Sequence, residues 1–271
     1  MCKPKVSIIM GIYNCEKYLS ESIDSILHQT FEDWNLIMCD DGSMDRTYNI
    51  ARDYMEKYPG KIVVIKNKKN MGLNFTLNKC LEIADGKYIA RQDGDDISEP
   101  TRLEKEVSFL DTNIEFAFVG TDMTFFDSEG GWGCTNVSQT PKNSNFIKGT
   151  PFCHATTMVR KEIFDEVEGY TIDSKLLRVE DYHLWFKIYS KGYKGYNIKE
   201  NLYKMRDDRD ATNRKTFKNR INETRVKWIG FRMLNIPYKN YIFVLRPFIL
   251  AFVPSKLYEF LHRNKKKATH A

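Results

Sequence analysis

The chain has 271 residues, 42% of them hydrophobic and 29% charged, with a formal net charge of +6. That length carries one large domain, or one domain with an appendage, around a substantial core, and the ordinary composition argues against a disordered or fibrous chain. Six scattered cysteines, Cys2, Cys15, Cys39, Cys80, Cys134 and Cys153, show no CxxC pair and no histidine at zinc spacing, so a disulfide framework or zinc site is not expected and the thiols read as reduced, in a cytosolic protein.

The N-terminal residues, MCKPKVSIIMGIYN, enter a strand pattern within a few positions and lack a long apolar run, so no signal peptide is expected and the sequons at Asn136 and Asn222 carry no weight. Short apolar runs at residues 6–10, 34–39, 62–65 and 88–90 read as buried strands. Between them lie helical faces: Tyr18, Leu19, Ile23, Ile26 and Leu27; then Ile50, Tyr54 and Met55; then Phe75, Leu77, Leu81 and Ile83. Alternation of this kind predicts an α/β fold with a mostly parallel sheet flanked by helices. Ligands of such sheets bind beyond the carboxyl ends of the strands. The loops expected there carry Ile12, Tyr13 and Asn14 after the first strand, Asp40 and Asp41 after the second, Asn70 and Gly72 after the third, and an aspartate cluster after the fourth.

Beyond Arg102 the rhythm changes. A helix to about Leu110, a strand at 116–121 and a long loop at 127–149 are expected, followed by a strand at 156–159, helices at 161–167 and 180–191, and two strands at 193–198 and 202–205. No internal repeat, GxGxxG or GxxxxGK[ST] occurs, which removes the simplest dinucleotide and P-loop readings.

Four segments carry chemistry, each with a plainer structural alternative. Asp93, Asp95 and Asp96 crowd three carboxylates into YIARQDGDD, which suits Mg2+ or Mn2+ held by one or two protein oxygens plus substrate phosphates; a solvated acidic turn before a helix is the alternative. Asp40 and Asp41 could accept the imide proton of a uracil, or could serve a helix cap. Asn70 and Gly72 suit close ligand approach or a plain turn. Glu180 and Asp181 open a helix, as a general base with a neighbouring carboxylate or as helix-dipole complements. His154 could line an acceptor site, or be structural.

In this order on alternating elements, these segments resemble the family 2 glycosyltransferases of GT-A fold, over roughly the first 205 residues. The matching stretches are VSIIMGIYNCEKYLSESIDSILHQTF, CDDGSMDRT, NMGLNFTLNKCLEIADGKYIARQDGDDIS and VEDYHLWFKI. The resemblance implies an inverting transfer from a nucleotide-diphosphate sugar, with Asp41 (and Asp40 beside it) at the uracil, Asp93 at the ribose or sugar, Asp95 on the metal and Asp181 as the base. Where the family often has a Tyr-Arg-x-His segment, this chain has Tyr203-Lys204-Met205-Arg206, so Arg206 is expected to pair with diphosphate oxygens. The QxxRW signature of processive synthases is absent, which favours one sugar per encounter.

The resulting division is 1–207 for the GT-A domain, with 1–100 the nucleotide-sugar half and 101–207 the acceptor half, and 208–271 for a helical extension. Beyond Lys199 basic residues outnumber acidic ones by about three to one. The apolar stretch at 241–253 is too short to span a bilayer and contains Arg246 and Pro247. Two readings of the tail stand open: an interfacial segment on anionic membrane, helped by Arg263, Lys265, Lys266 and Lys267, or an extension packed on the core. Nucleic acid is not an expected partner, since the tail aromatics form no stacking platform. The expected partners are a nucleotide-sugar donor and a glycan or lipid-linked acceptor, at a cytoplasmic location with the membrane's inner face as the contact surface. A sugar nucleotidyltransferase would want a Gly-rich basic triphosphate loop, and a silent binding module would want a missing base or metal ligand.

Overall fold

The computed structural model describes residues 3–207 and 216–252. Four strands form first, each from an apolar run: β1 (Val6–Ile12), β2 (Trp34–Asp40), β3 (Ile62–Lys66) and β4 (Tyr88–Arg91). The intervening helices α1 (Leu19–Leu27), α2 (Thr47–Lys57) and α3 (Leu73–Ile83) bury one face each, led by Leu19, Ile23 and Ile26 on α1 and by Leu77 and Cys80 on α3. Both faces of the sheet are thus covered, which is why β1, β2 and β4 are almost continuously apolar and do not alternate.

β1 pairs in parallel with β2 on one side and with β4 on the other, and β2 pairs with β3. The chain therefore winds outward from β1 to β3 and then returns to the far side of β1. This reversal opens a crevice at the carboxyl ends of β1 and β4. A two-residue strand β5 (Ile97–Ser98) and helix α4 (Arg102–Thr112) follow the acidic loop, and the sheet then continues through β6 (Phe118–Asp127), β7 (Gly130–Cys134), β8 (Met158–Arg160) and β9 (Gly195–Arg206). Its order is β3-β2-β1-β4-β8-β6-β9-β5, with β7 paired to β6.

Three expectations for this second half are corrected. The strands foreseen at 193–198 and 202–205 are one, β9: Lys199, Glu200 and Asn201 interrupt the apolar pattern, yet the backbone stays paired with β6 through two register shifts. β6 runs on well past residue 121, because Asp122 is buried against Thr135 and the Val137 amide and does not end the strand. The long loop at 127–149 is partly ordered, with the β6–β7 hairpin at its start and a 3-10 turn at Asn143–Ile147 near its end.

Helices α5 (Lys161–Glu166) and α6 (Glu180–Ser190) close the second half. Trp185 of α6 is fully buried and stacks on Phe118 of β6 at 4.6 Å between ring centroids, so the helix is anchored at mid-length to the sheet. The tail adds α7 (Phe217–Met233), a 3-10 segment at Tyr238–Val244 and α8 (Arg246–Leu250). Of the two open readings, packing on the core holds for α7: Val226 and Phe231 are fully buried, and Lys227 is buried too, its ammonium donating to the Ile147 carbonyl at 3.2 Å while burial pushes its pKa down to about 8. Eight large apolar side chains of this segment nonetheless face outward, among them Phe217, Tyr238, Ile242, Phe248 and Phe252, so an outer apolar face remains. Arg263, Lys265, Lys266 and Lys267 lie outside the described residues. No helix among the described residues is long and apolar enough to cross a membrane.

Close approach of α7 to α6 depends on Gly230, where an added Cβ would lie 2.1 Å from Phe186 Cδ2. Alanine is the better helix former by about 1 kcal/mol, but here the overlap wins. Gly230→Ala is expected to lower stability by about 1–3 kcal/mol in chemical denaturation; unchanged or increased stability would show that the two helices do not pack at this point.

Candidate active site

A cleft of about 550 Å3 opens at the reversal point of the sheet. One wall comes from the strand ends: Gly11, Ile12 and Tyr13 from β1 and the residue after it, Asp41 after β2, Gly72 to Asn74 and Thr76 at the start of α3, Arg91 at the end of β4, and Asp93, Gly94 and Asp95 after it. The other comes from Leu177, Arg178 and Glu180 before and at the start of α6, and from Lys218 and Asn219 in the first turn of α7. Its size suits a small-molecule ligand.

Asp41 is buried and holds its loop shut. Its Oδ1 accepts from the Met71 amide at 2.8 Å and from Asn67 Nδ2 at 2.9 Å, and its Oδ2 accepts from the Gly72 amide at 2.9 Å. A carboxylate offers about four lone-pair directions, so one remains for a donor in the cleft. Gly72 makes this possible: its φ of +90° is a conformation that side chains disfavour, and it turns the amide onto the carboxylate. Asp40, by contrast, faces away from the cleft, accepting from the Ser43 amide at 3.2 Å with Lys66 at 3.7 Å. Asn14 and Asn70 also lie outside the lining, and Asn14 ties its own loop to the Met44 amide at 2.9 Å.

The acidic loop is fixed from beneath by Gln92, which is fully buried. Its Nε2 donates to the Asp96 carbonyl at 2.9 Å, to Ser22 Oγ at 3.1 Å and to the Asp93 carbonyl at 3.2 Å, while its Oε1 accepts from Ser98 Oγ at 2.7 Å and Arg102 Nη1 at 3.3 Å. Arg102, itself buried and paired with Glu106 at 3.4 Å, also donates to the Arg91 carbonyl at 2.8 Å. Gly94 closes the loop against Ile12 and Cys15, where a Cβ would be only 3.0 and 3.1 Å from their side chains. The three aspartates consequently separate. Asp93 and Asp95 line the cleft, whereas Asp96 points inward to the Arg206 amide at 2.8 Å, and burial, then the charges of Asp93 and Asp95, raise its pKa well above the usual carboxylate range.

Asp93 Oδ1 accepts from Arg91 Nη2 at 2.6 Å and Nε at 3.2 Å. His154 lies behind Arg91 and is not part of the lining: its ring contacts Arg91 Nη1 and its Nε2 meets the Tyr170 hydroxyl at 2.9 Å. Burial, then the Arg91 charge, push its pKa well down, so it stays neutral. In this position it supports Arg91 from behind the cleft wall. Arg206 also stands off the lining. Its guanidinium sits between the Tyr18 and Phe126 rings at 4.0 and 4.3 Å, pairs with Glu21 at 2.6 Å and donates to the Asp95 carbonyl at 3.1 Å, so it braces the acidic loop and does not line the cleft.

Glu180 lines the opposite wall, and Asp181, next to it in the chain and half-buried, is not itself among the lining residues. Burial and then the Glu180 charge raise the Asp181 pKa to about 6, against the Tyr182 backbone amide and the Arg91 charge, which lower it. A carboxyl so tuned can take a proton near neutral pH. No group of three metal-ligating side chains occurs among the described residues. Asp93 and Asp95 therefore offer at most a pair of hard oxygens, a set that suits Mg2+ or Mn2+ completed by water and substrate phosphate. Arg91, Arg178, Lys218 and Asn219 were not foreseen as lining residues. Arg178 left one trace only in the backbone, a φ of +67°, and Lys218 left none, since its place depends on how α7 docks.

The description Glycosyl transferase family 2 matches residues 7–168. EpsE of Bacillus subtilis is 44% identical over 97% of this chain and 94% of its own length. WfaP of Escherichia coli, a UDP-Glc:alpha-D-GlcNAc-diphosphoundecaprenol beta-1,3-glucosyltransferase, is 30% identical over 84% of this chain and 87% of its own. Among solved structures, S. aureus TarS 1-349 in complex with UDP-GlcNAc superposes with a TM-score of 0.64 at 20% identity, covering 92% of this chain and 82% of that one. The mannosyltransferase PcManGT from Pyrobaculum calidifontis, in complex with GDP-Man and Mn2+, gives 0.65 at 16% identity over 96% and 80%. At these identities the two structures speak for the fold.

Asp41→Asn retains only one strong acceptor oxygen for the Met71 and Gly72 amides. Hydrogen exchange at one of the two is expected to speed up about tenfold, the worth of one lost hydrogen bond, with the β2 amides unchanged; protection at both would show that the carboxylate does not hold this turn.

Proposed function

The chain belongs to glycosyl transferase family 2 and is a glycosyltransferase of GT-A fold, and on that premise we propose that it transfers a hexosyl or N-acetylhexosaminyl group from a UDP-sugar, with inversion, to a hydroxyl of a lipid-linked glycan in surface polysaccharide assembly. One observation carries this reading: a single cleft brings Asp41, Asp93 and Asp95 from the strand ends together with Glu180 from the start of α6. Membership of the family sets aside the sugar nucleotidyltransferase and the silent binding module. WfaP, by its name, uses UDP-Glc and a diphosphoundecaprenol acceptor, which supports the donor and acceptor classes.

In this reading residues 1–100 form the nucleotide-sugar half, 101–207 the acceptor half and 208–271 the extension. Asp41 accepts the uracil imide proton with its remaining lone pair, and Ile12, Tyr13 and Gly72 frame the nucleoside, with Asn14, Asn70 and Asp40 shaping the loops behind it. Asp93, held by Arg91, accepts from ribose or sugar hydroxyls. Asp181 removes the acceptor proton as the hydroxyl oxygen attacks the anomeric carbon opposite the leaving diphosphate, and Glu180 orients the acceptor. The bond to the diphosphate oxygen breaks as the new glycosidic bond forms, so the configuration inverts.

Asp95, with Asp93 beside it, would hold Mn2+ or Mg2+, which when bound supplies positive charge to the departing diphosphate. The Mn2+ in the PcManGT complex supports this assignment. The outward apolar face of the tail, including Phe248 and Phe252, supports peripheral contact with the cytoplasmic face of an anionic membrane. Flotation with phosphatidylglycerol vesicles is expected to carry the full chain, and F248S/F252S to abolish it; equal recovery of both proteins would end the membrane assignment.

Transfer from a panel of UDP-sugars tests the whole reading. Asp181→Asn is expected to keep UDP affinity and lower kcat about a hundredfold or more, while Asp95→Ala should make activity unresponsive to added Mn2+. Because the base works ionised and its pKa is raised to about 6, wild-type kcat should fall as pH drops through about 6. An equal loss of donor binding and turnover in Asp181→Asn would exclude it as the base.

A further inference from the structure

The cleft holds more cationic groups than the roles above use. Arg91 is paired to Asp93, and Arg206 is turned away onto Glu21. Arg178 and Lys218 remain, both lining the cleft, and neither side chain has a hydrogen bond or ion pair among the described residues. Their shared wall is built: the 3-10 turn at Ser174–Leu176 packs on α7, Asn222 Nδ2 donates to the Leu177 carbonyl at 3.1 Å, and Arg225 Nη1 reaches the Lys175 carbonyl at 3.5 Å. Arg178 is held there at a φ of +67°, a conformation that arginine rarely adopts and that the surrounding turn imposes.

Both cations belong to the wall that carries Glu180 and not to the strand-end loops that supply the nucleotide candidates. Immediately beside Lys218 stands Phe217, about half exposed, whose ring meets those of Phe248 and Phe252, each at 6.2 Å. The same cleft wall thus offers a carboxylate and two unpaired cations, and an exposed aromatic cluster begins at the residue next to Lys218 in the chain. A ligand matching these groups has a hydroxyl, an anion and a hydrocarbon chain.

The geometry points to an anion subsite at Arg178 and Lys218 that takes the diphosphate of the acceptor, with its lipid chain leaving over Phe217, Phe248 and Phe252. This rests on the reading of the acceptor as lipid-linked. Diphosphate oxygens accept from a guanidinium in a fork and from an ammonium as a point charge, and the wall supplies one of each. A donor also carries diphosphate, so the test must fill the donor site first.

Calorimetric titration of decyl diphosphate into the full chain saturated with UDP and excess Mg2+ does so. Arg178→Ala and Lys218→Ala are each expected to weaken decyl diphosphate about tenfold, the effect of one charge-assisted hydrogen bond, and to leave UDP affinity within about twofold. Phe217→Ser should weaken decyl diphosphate but not inorganic pyrophosphate. All three side chains are substantially exposed, so the variants should fold, and unchanged circular dichroism checks this. Wild-type affinity for decyl diphosphate in both charge variants would overturn the subsite. Parallel loss of UDP and decyl diphosphate would also overturn it, by assigning the two cations to the donor. Should UDP itself fail to bind the wild type, the donor reading falls, and the same comparison of decyl diphosphate affinities without UDP still decides the subsite.

Discussion

Three aspartates within four residues repel one another, and the arrangement of the cleft follows from how that repulsion is contained. Gln92 is the central restraint. It carries no charge, donates to two carbonyls of the loop and accepts from Arg102, whose own charge is met by Glu106 beneath the sheet. The loop is therefore gripped by its backbone, and Asp93 and Asp95 line the cleft. Asp96, turned inward to the Arg206 amide, is the member that burial keeps from adding a third negative charge to the same face.

The two walls owe their chemistry to different physical origins. On the strand side, polar atoms are fixed by hydrogen bonds from buried carboxyl and amide groups, with glycines at the points of tightest turning. On the helix side, Glu180 and Asp181 are placed by α6, whose position is set by Trp185 against Phe118. Arg91 links the walls: its guanidinium binds Asp93, touches His154 and favours the charged form of Asp181. A cation in this place opposes the mutual repulsion of the carboxylates that both walls present.

Much of this was readable from the chain itself. Alternating apolar runs and helical faces gave the first four strands and three helices, because burial on both faces leaves a pattern in local composition. The acidic run, Asp41 and Glu180 followed from their places after strands or at a helix start. That Arg206 and His154 stand off the cleft lining was not readable, because their positions depend on partners far along the chain, Glu21 and Tyr18 for one, Arg91 and Tyr170 for the other. β9 was divided in two because three exposed polar residues hide a continuous ladder. Lys218 was invisible because helical docking, and not local pattern, brings it to the cleft.

Gly230 lies on α7 well beyond Lys218 and Asn219, and its close approach to Phe186 is part of how the helix that carries them docks on α6. The matched family segment ends at residue 168, so both the helix that bears the candidate base and the helix that completes its far wall fall outside it. Recombining such enzymes at that border would carry α6 and α7 across together, so Phe186 and Gly230 would travel as a matched pair and the fit between the two helices would survive the exchange.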